Sequence, residues 1–319
     1  MKKLAKLIMT ALLCLSMLAG CTTGRKTVTT TVYPVYYLVG KLAGTRVDID
    51  YLSSDDYIGR AQIVSNYQDI IDKTDLLIYI NGLEPYLDIY YNDIQEKQFN
   101  IIDLASLSAI DDFARYTTTT VNGVSVTKES RYYDSSLFDL TDLYKKDPFI
   151  WLDPIAMSSM ASTINDWLCQ QYPENALVFD SNFEALQAEL IRMDDEYQSL
   201  NTRNDIKLVT VTPSFGNWQK NYGIQLYPLI LSKYGVLPTA SQLVFIEQAI
   251  KDAGVKYIVH DRTLPDDMQN LYEQVKTDLG LQAVELSSLT RLSSDDVDKS
   301  KDYMTIMYEN LTNLENAFK

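Results

Sequence analysis

The chain has a single histidine, His260, which limits its imidazole ligands for a transition metal and its choice of general base, although aspartate or glutamate could serve as the base. His260 ends the apolar run VKYIVH and is followed by Asp261, and an acidic pair, Asp55 and Asp56, lies in an earlier loop. Imidazole and carboxylate groups are ligands that zinc and manganese accept, so these four residues could form a metal site. The alternative is structural: a histidine at a strand end, and adjacent acids that are solvated or cap a turn.

Two broad functional classes are disfavoured. The sequence contains no G-x-S-x-G elbow, no paired cysteine and histidine and no glycine-rich phosphate loop, so we do not expect an enzyme. Its 43 acidic and 28 basic residues give a formal net charge of −15, which repels nucleic acid. A partner of the polynucleotide class is therefore not expected.

The N-terminus resembles a secretion signal rather than part of the fold. Residues 1–20 combine a basic start with a short apolar stretch and end in small residues before Cys21. The run LAGC is similar to a bacterial lipobox, which predicts lipidation of Cys21 and a short tether over 21–26. The alternative is an ordinary secretory signal with a chance cysteine. The lipid would hold the protein on the extracytoplasmic face of the cell membrane.

The stretch DPFIWLDP places an apolar run between two Asp-Pro pairs. A proline disfavours helical geometry in the residue before it, so Asp147 and Asp153 are expected to be extended or in turns. The pattern predicts a short buried segment, with a helix beginning just after Pro154. Phe149 lies immediately behind the first of these turns.

Strand-like and helical segments alternate along the chain, which predicts an α/β fold with mainly parallel sheets. We expect two lobes, each with a four-stranded sheet flanked by helices, joined by a long rigid α-helix. The predicted boundaries are an N-terminal lobe over 27–172 with an insertion loop over 112–146, a connecting helix over 173–200, and a C-terminal lobe over 201–319. The predicted strands are 27–33, 46–52, 75–80, 99–103, 206–211, 225–231, 255–260 and 281–286. Ligands in such folds bind at the carboxyl ends of strands, so the cleft between the lobes is the expected site.

Several segments together resemble the substrate-binding lipoproteins of zinc and manganese ABC importers. The segments are VTTTVYPVYYLVGKLAG, TDLLIYINGLEPYLD, DPFIWLDP, SFGNWQKNYGI, LPTASQLVFIEQAIKDAGVKYIVHD and KDYMTIMYENLTNLENAF. They occur in the family's order and cover nearly the whole chain after the signal. The resemblance implies a monomer with one metal ion held between two lobes, and an ABC permease in the membrane as its partner.

The family binds its metal through histidines and carboxylates at four positions, and here the matching residues are Gly59, Phe149, Thr212 and Ser287. None of the four is a usual metal ligand. The 112–146 segment stands where some zinc binders carry a histidine-rich loop, and it contains no histidine. We therefore expect no cofactor, although zinc or manganese remains possible through a site rebuilt around His260.

Three functions remain open at this point. The first is a solute-binding lipoprotein of an ABC importer whose metal site is degenerate, so that its ligand is changed or lost. An aromatic pocket containing Phe215, Trp151, Trp218 and Tyr57 would suit a small organic solute, unless these rings are simply core. The second is a surface adhesin-like or accessory lipoprotein, and the third is a metal binder that uses the rebuilt site.

Overall fold

The computed structural model describes residues 25–54, 57–107, 110–121, 124–202 and 206–319. The proposed lipidation site, Cys21, and the acidic pair Asp55 and Asp56 lie outside these residues. None of the helices in the described ranges is both long and apolar enough to cross a membrane.

The first lobe is built on a parallel four-stranded sheet with the order β2-β1-β3-β4. Val28 pairs with Ile49 on one side and with Leu76 on the other, so the central strands are buried between neighbours. The sheet strands are β1 Thr27–Thr30, β2 Asp48–Tyr51, β3 Leu76–Tyr79 and β4 Asn100–Asp103. The helices are α1 Tyr33–Ala43, α2 Tyr67–Ile71, α3 Pro85–Gln95 and α4 Leu104–Leu107. A proline is the second residue of α1 and the first of α3, where the missing N–H has no intrahelical partner to lose.

The 112–146 segment is not simply a loop. It contains an antiparallel hairpin of β5 Arg115–Val121 and β6 Val124–Ser130. The expectation of an insertion loop is corrected for these strands, because threonine and valine are β-branched and pair readily in extended conformations.

Two consecutive helices follow, α5 Pro154–Gln171 and α6 Ala176–Gln198. The second is 23 residues long and connects the two halves of the chain, as expected. Its buried side chains recur on one face, and they are Phe179, Leu186, Leu190, Met193 and Tyr197. That apolar stripe packs the helix against the body of the protein, so it cannot act as a loose linker.

The second lobe repeats the architecture with a parallel sheet of order β10-β9-β7-β8. Its strands are β7 Lys207–Thr210, β8 Gln225–Pro228, β9 Tyr257–His260 and β10 Gln282–Glu285. Its helices are α7 Asn217–Tyr222, α8 Ala240–Asp252, α9 Asp266–Leu279, α10 Ser294–Asp298 and α11 Tyr303–Ala317. The predicted α/β fold of two parallel four-stranded sheets is confirmed. The buried apolar side chains form one cluster that runs from the first lobe to the second.

The hairpin segment packs on the second lobe. The guanidinium carbon of Arg115 lies 4.3 Å from the centre of the Tyr227 ring, a cation–π geometry. Tyr133 donates a hydrogen bond from its hydroxyl to the carbonyl of Pro228 at 2.9 Å. The segment therefore covers β8, the edge strand of the second sheet, although it belongs to the first half of the sequence.

Candidate functional site

The segment from Asp147 to Pro154 is held at both ends by its aspartates. Asp147 accepts a hydrogen bond from the backbone N–H of Phe149 at 3.1 Å. Asp153 has extended backbone geometry and caps α5 by accepting from Ile155 N at 2.8 Å. The predicted helix start after Pro154 is confirmed, and between the aspartates the chain forms a 3-10 turn over Ile150–Leu152.

Phe149 lies at the centre of a buried aromatic cluster and is 0% exposed. Its ring centre is 5.7 Å from that of Tyr144 and 5.5 Å from that of Trp151, both in edge-to-face geometry. Tyr57 is 2% exposed, and its hydroxyl is close enough to that of Tyr144 to raise the pKa of Tyr144, after the larger effect of burial. We call these four residues, Tyr57, Tyr144, Phe149 and Trp151, the aromatic plug. Edge-to-face pairs stabilise beyond their buried area, so the plug is a packed structure.

Side chains from the second lobe fix the backbone beneath the plug. Asn217 donates from Nδ2 to the carbonyl of Phe149 at 3.0 Å. Trp218 donates from Nε1 to the carbonyl of Leu152 at 2.9 Å. The carbonyl of Phe149 also accepts a longer bond of 3.5 Å from Leu152 N within the turn, so Asn217 supplies its shorter hydrogen bond. The position of Phe149 is therefore set by contacts with the second lobe as well as by its own segment.

Gly59, the first of the four matched positions, has no room for a side chain. A Cβ atom built there would lie 2.5 Å from the carbonyl oxygen of Lys233 and 2.9 Å from Cε1 of Tyr57. The backbone of Lys233 belongs to the second lobe, so the two lobes approach each other at van der Waals distance here. Any ligand side chain at residue 59 would have to push them apart.

Thr212 and Ser287, two further matched positions, are bonded within their own lobe. Thr212 is buried, and its hydroxyl lies 2.9 Å from that of Ser214. Ser287 donates from its backbone N–H to Asn310 at 2.8 Å, and its hydroxyl accepts from the N–H of Leu289 at 3.2 Å. Their hydroxyl groups thus have structural partners.

His260 lies at the end of β9, as expected, and its partners come from the second lobe. Its Nδ1 is 2.6 Å from a carboxylate oxygen of Glu285, and its ring stacks on Tyr272 at 4.8 Å between centres. The other carboxylate oxygen of Glu285 accepts from Arg262 at 2.9 Å. Glu285 is therefore shared between two cationic or donor groups.

Asp261 is 4% exposed and uses both carboxylate oxygens locally. One oxygen accepts from the backbone N–H of Thr263 at 2.9 Å and from its hydroxyl at 2.7 Å. The other accepts from the N–H of Ser288 at 3.0 Å. These bonds close the turn that follows β9, which is the common structural role of an aspartate at this kind of position.

A polar cavity of about 120 Å³ brings three of the predicted site residues together: His260, Asp261 and Ser287. It opens at the carboxyl ends of β9 and β10. Lys301, which also lines it, is paired with Glu309 at 2.6 Å. Among the described ranges, no group of three or more His, Cys, Asp or Glu side chains is arranged so that it could hold a metal ion.

Two buried acids near the plug were not singled out as site residues from the sequence. Glu84 is 3% exposed and accepts a short hydrogen bond from the hydroxyl of Thr31, and its second oxygen has no hydrogen-bond partner among the described residues. Burial raises the pKa of Glu84 to about 8 and that of Asp147 to about 7. Each acid stands directly before a proline, a pattern that signals a turn but not its burial.

A family comparison matches almost the entire described chain. The family model named ZnuA, zinc-uptake complex component A, periplasmic, matches residues 28–317. The zinc-binding lipoprotein AdcA of Streptococcus pneumoniae is 23% identical over 330 residues, covering 99% of this chain and 61% of the relative. The chain thus spans about three fifths of that protein. The high-affinity zinc uptake system protein ZnuA of Bacillus subtilis is 21% identical over 298 residues, covering 91% of this chain and 86% of that protein.

Solved structures show the same fold. The periplasmic zinc-binding protein TroA of Treponema pallidum superposes with a TM-score of 0.72 at 15% identity, covering 92% of this chain and 99% of that one. The laminin-binding protein Lmb of Streptococcus agalactiae, described as having adhesin and metal-transporting activity, gives 0.69 at 20% identity, with 92% and 98% covered. At these identities the likeness establishes the architecture.

Proposed function

Because the chain belongs to the ZnuA family of periplasmic zinc-uptake components, we propose that it is the extracytoplasmic solute-binding subunit of an ABC importer whose metal site is degenerate. Members of this family are components of transport systems and not enzymes. The chain would keep the two-lobed frame of its relatives while its ligand is changed or lost. Its partner would be an ABC permease in the membrane, which it would meet as a monomer.

The aromatic plug is the observation that carries this proposal. A zinc site needs nitrogen, sulfur or oxygen ligands about 2 Å from the ion, and a phenyl ring supplies none. Phe149 occupies one matched ligand position with its ring wholly buried, and Gly59 occupies another against the backbone of Lys233. A metal ion bound in the same way as in the relatives would have to displace packed rings and separate the lobes.

The competing proposal, a metal site rebuilt around His260, has weaker support. His260 is bonded to Glu285 through Nδ1, and both oxygens of Asp261 are engaged in the turn after β9. A metal ion there would compete with hydrogen bonds that close this turn. The proposal nevertheless makes a distinct prediction, because it requires the imidazole of His260 for binding.

The first test compares these two proposals by metal content and melting temperature. We expect the purified protein to carry no stoichiometric zinc or manganese, and its melting temperature to stay unchanged when either metal is added in moderate excess. A ligand that binds only the folded state stabilises it by about 2.7 kcal/mol at a hundredfold excess over its dissociation constant, which a melting curve resolves. A rise in melting temperature that vanishes in His260→Ala would support the rebuilt site and overturn our proposal. Native mass spectrometry of the same sample would reveal a co-purified organic solute.

The proposed lipid anchor predicts that removing Cys21 changes where the protein is found without changing its fold. Cys21→Ala should move the protein from the membrane fraction to the soluble fraction, because the lipid on Cys21 is the proposed membrane attachment. Its melting temperature should equal that of the parent, since the tether precedes β1. Fractionation with a salt wash and immunoblotting would measure this. A variant that still sediments with membranes would show that the lipobox interpretation is wrong.

A further inference from the structure

Arg60 makes a three-point contact from the first lobe to the second. Its Nε and Nη2 atoms donate to the carbonyl oxygen of Gly235 at 3.1 and 2.6 Å. Its Nη1 atom donates to a carboxylate oxygen of Asp267 at 2.9 Å. We call Arg60, Gly235 and Asp267 the latch. One planar guanidinium thus holds two acceptors of the other lobe in fixed directions, a geometry that a lysine ammonium does not reproduce.

The surroundings of the latch favour an arrangement in which the two lobes stay in contact. The side chains of Arg60 and Asp267 are 27% and 46% exposed, so the pair lies at the surface above the buried plug. The hydrogen bond from Arg60 holds the pKa of Asp267 below its usual value. Asp267 also lies in the first turn of α9, where the helix dipole favours a negative charge. The carboxylate therefore remains ionised and available to the guanidinium at neutral pH.

Two glycines allow the backbones to meet beside the latch. Gly59 faces the carbonyl of Lys233, as described above. Gly235 has a φ of +64°, and a Cβ atom there would lie 3.0 Å from the ring of Tyr57. A larger residue at either position would separate the lobes by steric contact. The contact between residues 57–60 and 232–235 is thus continuous, with the Arg60 side chain at its edge.

We propose that Arg60 is a built-in cation that holds the two lobes closed without any bound solute. The resemblance to zinc importers implies that a metal ion joins the lobes there. This chain instead places a guanidinium next to the first matched ligand position, in addition to the bonds between the lobes from Asn217 and Trp218. The protein therefore offers its permease a closed form whether or not it carries cargo. This consequence for the permease rests on the proposed function, but the closure itself does not.

Hydrogen–deuterium exchange of the full chain in chelator tests the closure. We expect amides of residues 57–61 and 232–236 to be protected in the parent protein. Arg60→Gln removes the charge and the shared donors, and should speed exchange in both segments by about tenfold, the scale of a lost charged hydrogen bond. Arg131→Gln is the matched control, because Arg131 also pairs with an aspartate, Asp139, at 2.9 Å within one surface segment. It should exchange like the parent.

Two further variants separate a latch from general destabilisation. Asp267→Asn should speed exchange in the same two segments, while Arg60→Lys should fall between the parent and Arg60→Gln. Amides in the strands of the two sheets should stay protected in all variants, which shows that the fold is intact. Equal exchange in the parent and Arg60→Gln would overturn the proposal, as would fast exchange in the parent.

Adding zinc to the parent distinguishes failure of this inference from failure of the proposed function. If the latch closes the lobes, the exchange pattern of the parent should be the same with zinc as with chelator. Protection that appears only with zinc would contradict both proposals, because the metal and not Arg60 would then close the lobes. Protection in chelator that Arg60→Gln removes, together with a zinc-dependent rise in melting temperature, would keep the latch and reject the degenerate site.

Discussion

Phe149→Ala is expected to lower the free energy of unfolding by about 3–5 kcal/mol, the range for truncating a buried phenylalanine. The ring is fully buried, and its loss would leave a cavity between Tyr144 and Trp151, with two edge-to-face contacts removed. The backbone N–H of Phe149 also donates a hydrogen bond to the carboxylate of Asp147. This bond holds the backbone in place, so it has little freedom to collapse into the cavity. Chemical denaturation at constant pH measures the change.

Leu140→Ala is the control for that experiment. Leu140 is 97% exposed, so its truncation should change the free energy of unfolding by less than about 0.5 kcal/mol. If Phe149→Ala costs no more than this control, the ring is not packed as described, and the plug cannot be what occupies the metal position. Phe149→Leu should lie between the two, since it keeps part of the buried volume.

Stability is expected to fall as pH rises from 5 to 8, because of the buried acids. The folded-state pKa values of Glu84 and Asp147 are raised to about 8 and about 7, whereas both groups titrate near 4 in an unfolded chain. Between these values the folded protein holds protons that the unfolded chain has released, so raising the pH favours unfolding. This loss of folding stability is absent below about pH 4 and complete above about pH 8. For Glu84 alone it is on the order of 3 kcal/mol between pH 5 and 8.

Glu84→Gln should flatten this pH dependence. The amide oxygen can still accept from Thr31, but the side chain no longer carries a charge to bury. At pH 8 the variant should therefore be more stable than the parent. At pH 5 its stability should equal that of the parent or be slightly lower. Glu96→Gln is the control. Glu84 precedes α3 and Glu96 follows it, but Glu96 is exposed, so its change should leave the pH dependence of stability unaltered. Denaturation midpoints from pH 5 to 8 measure all three proteins. An unchanged slope in Glu84→Gln would show that Glu84 is not the titrating group.

The secondary structure could be predicted well because local patterns determine it. The short apolar runs 75–80 and 255–260 contain central strands of the two sheets. The regularly spaced Leu186, Leu190 and Met193 lie on the buried face of α6. The hairpin in 112–146 was missed although its signals were present. Threonine-rich runs favour strands, and Asn122-Gly123 is a strong hairpin dipeptide in sequence. The Thr-, Ser- and Asp-rich composition of the segment interrupts the alternation of strands and helices, and this composition predicts a loop.

The site could be predicted only in part, because its character depends on contacts between distant segments. The resemblance indicated that Phe149 replaces a ligand, but not that Tyr144 and Trp151 would enclose it. Arg60 and Gly235 lie 175 positions apart, and nothing near either residue signals their contact. The burial of Glu84 likewise arises from tertiary packing, which local patterns do not report.

Zinc titration by calorimetry, of the parent beside a restored variant, tests whether the residues at the matched positions prevent zinc binding. Phe149→His, Thr212→His and Ser287→Asp together replace three matched positions with nitrogen and oxygen ligands. Gly59 is left unchanged because any side chain there meets Lys233. We predict no zinc binding by the parent and measurable binding by the variant, at an affinity about 10- to 100-fold below that of a natural site because partners that orient the ligands are missing. A folded variant that binds no more zinc than the parent, or a parent that binds one zinc ion per chain, would show that the metal site is not degenerate in the way proposed.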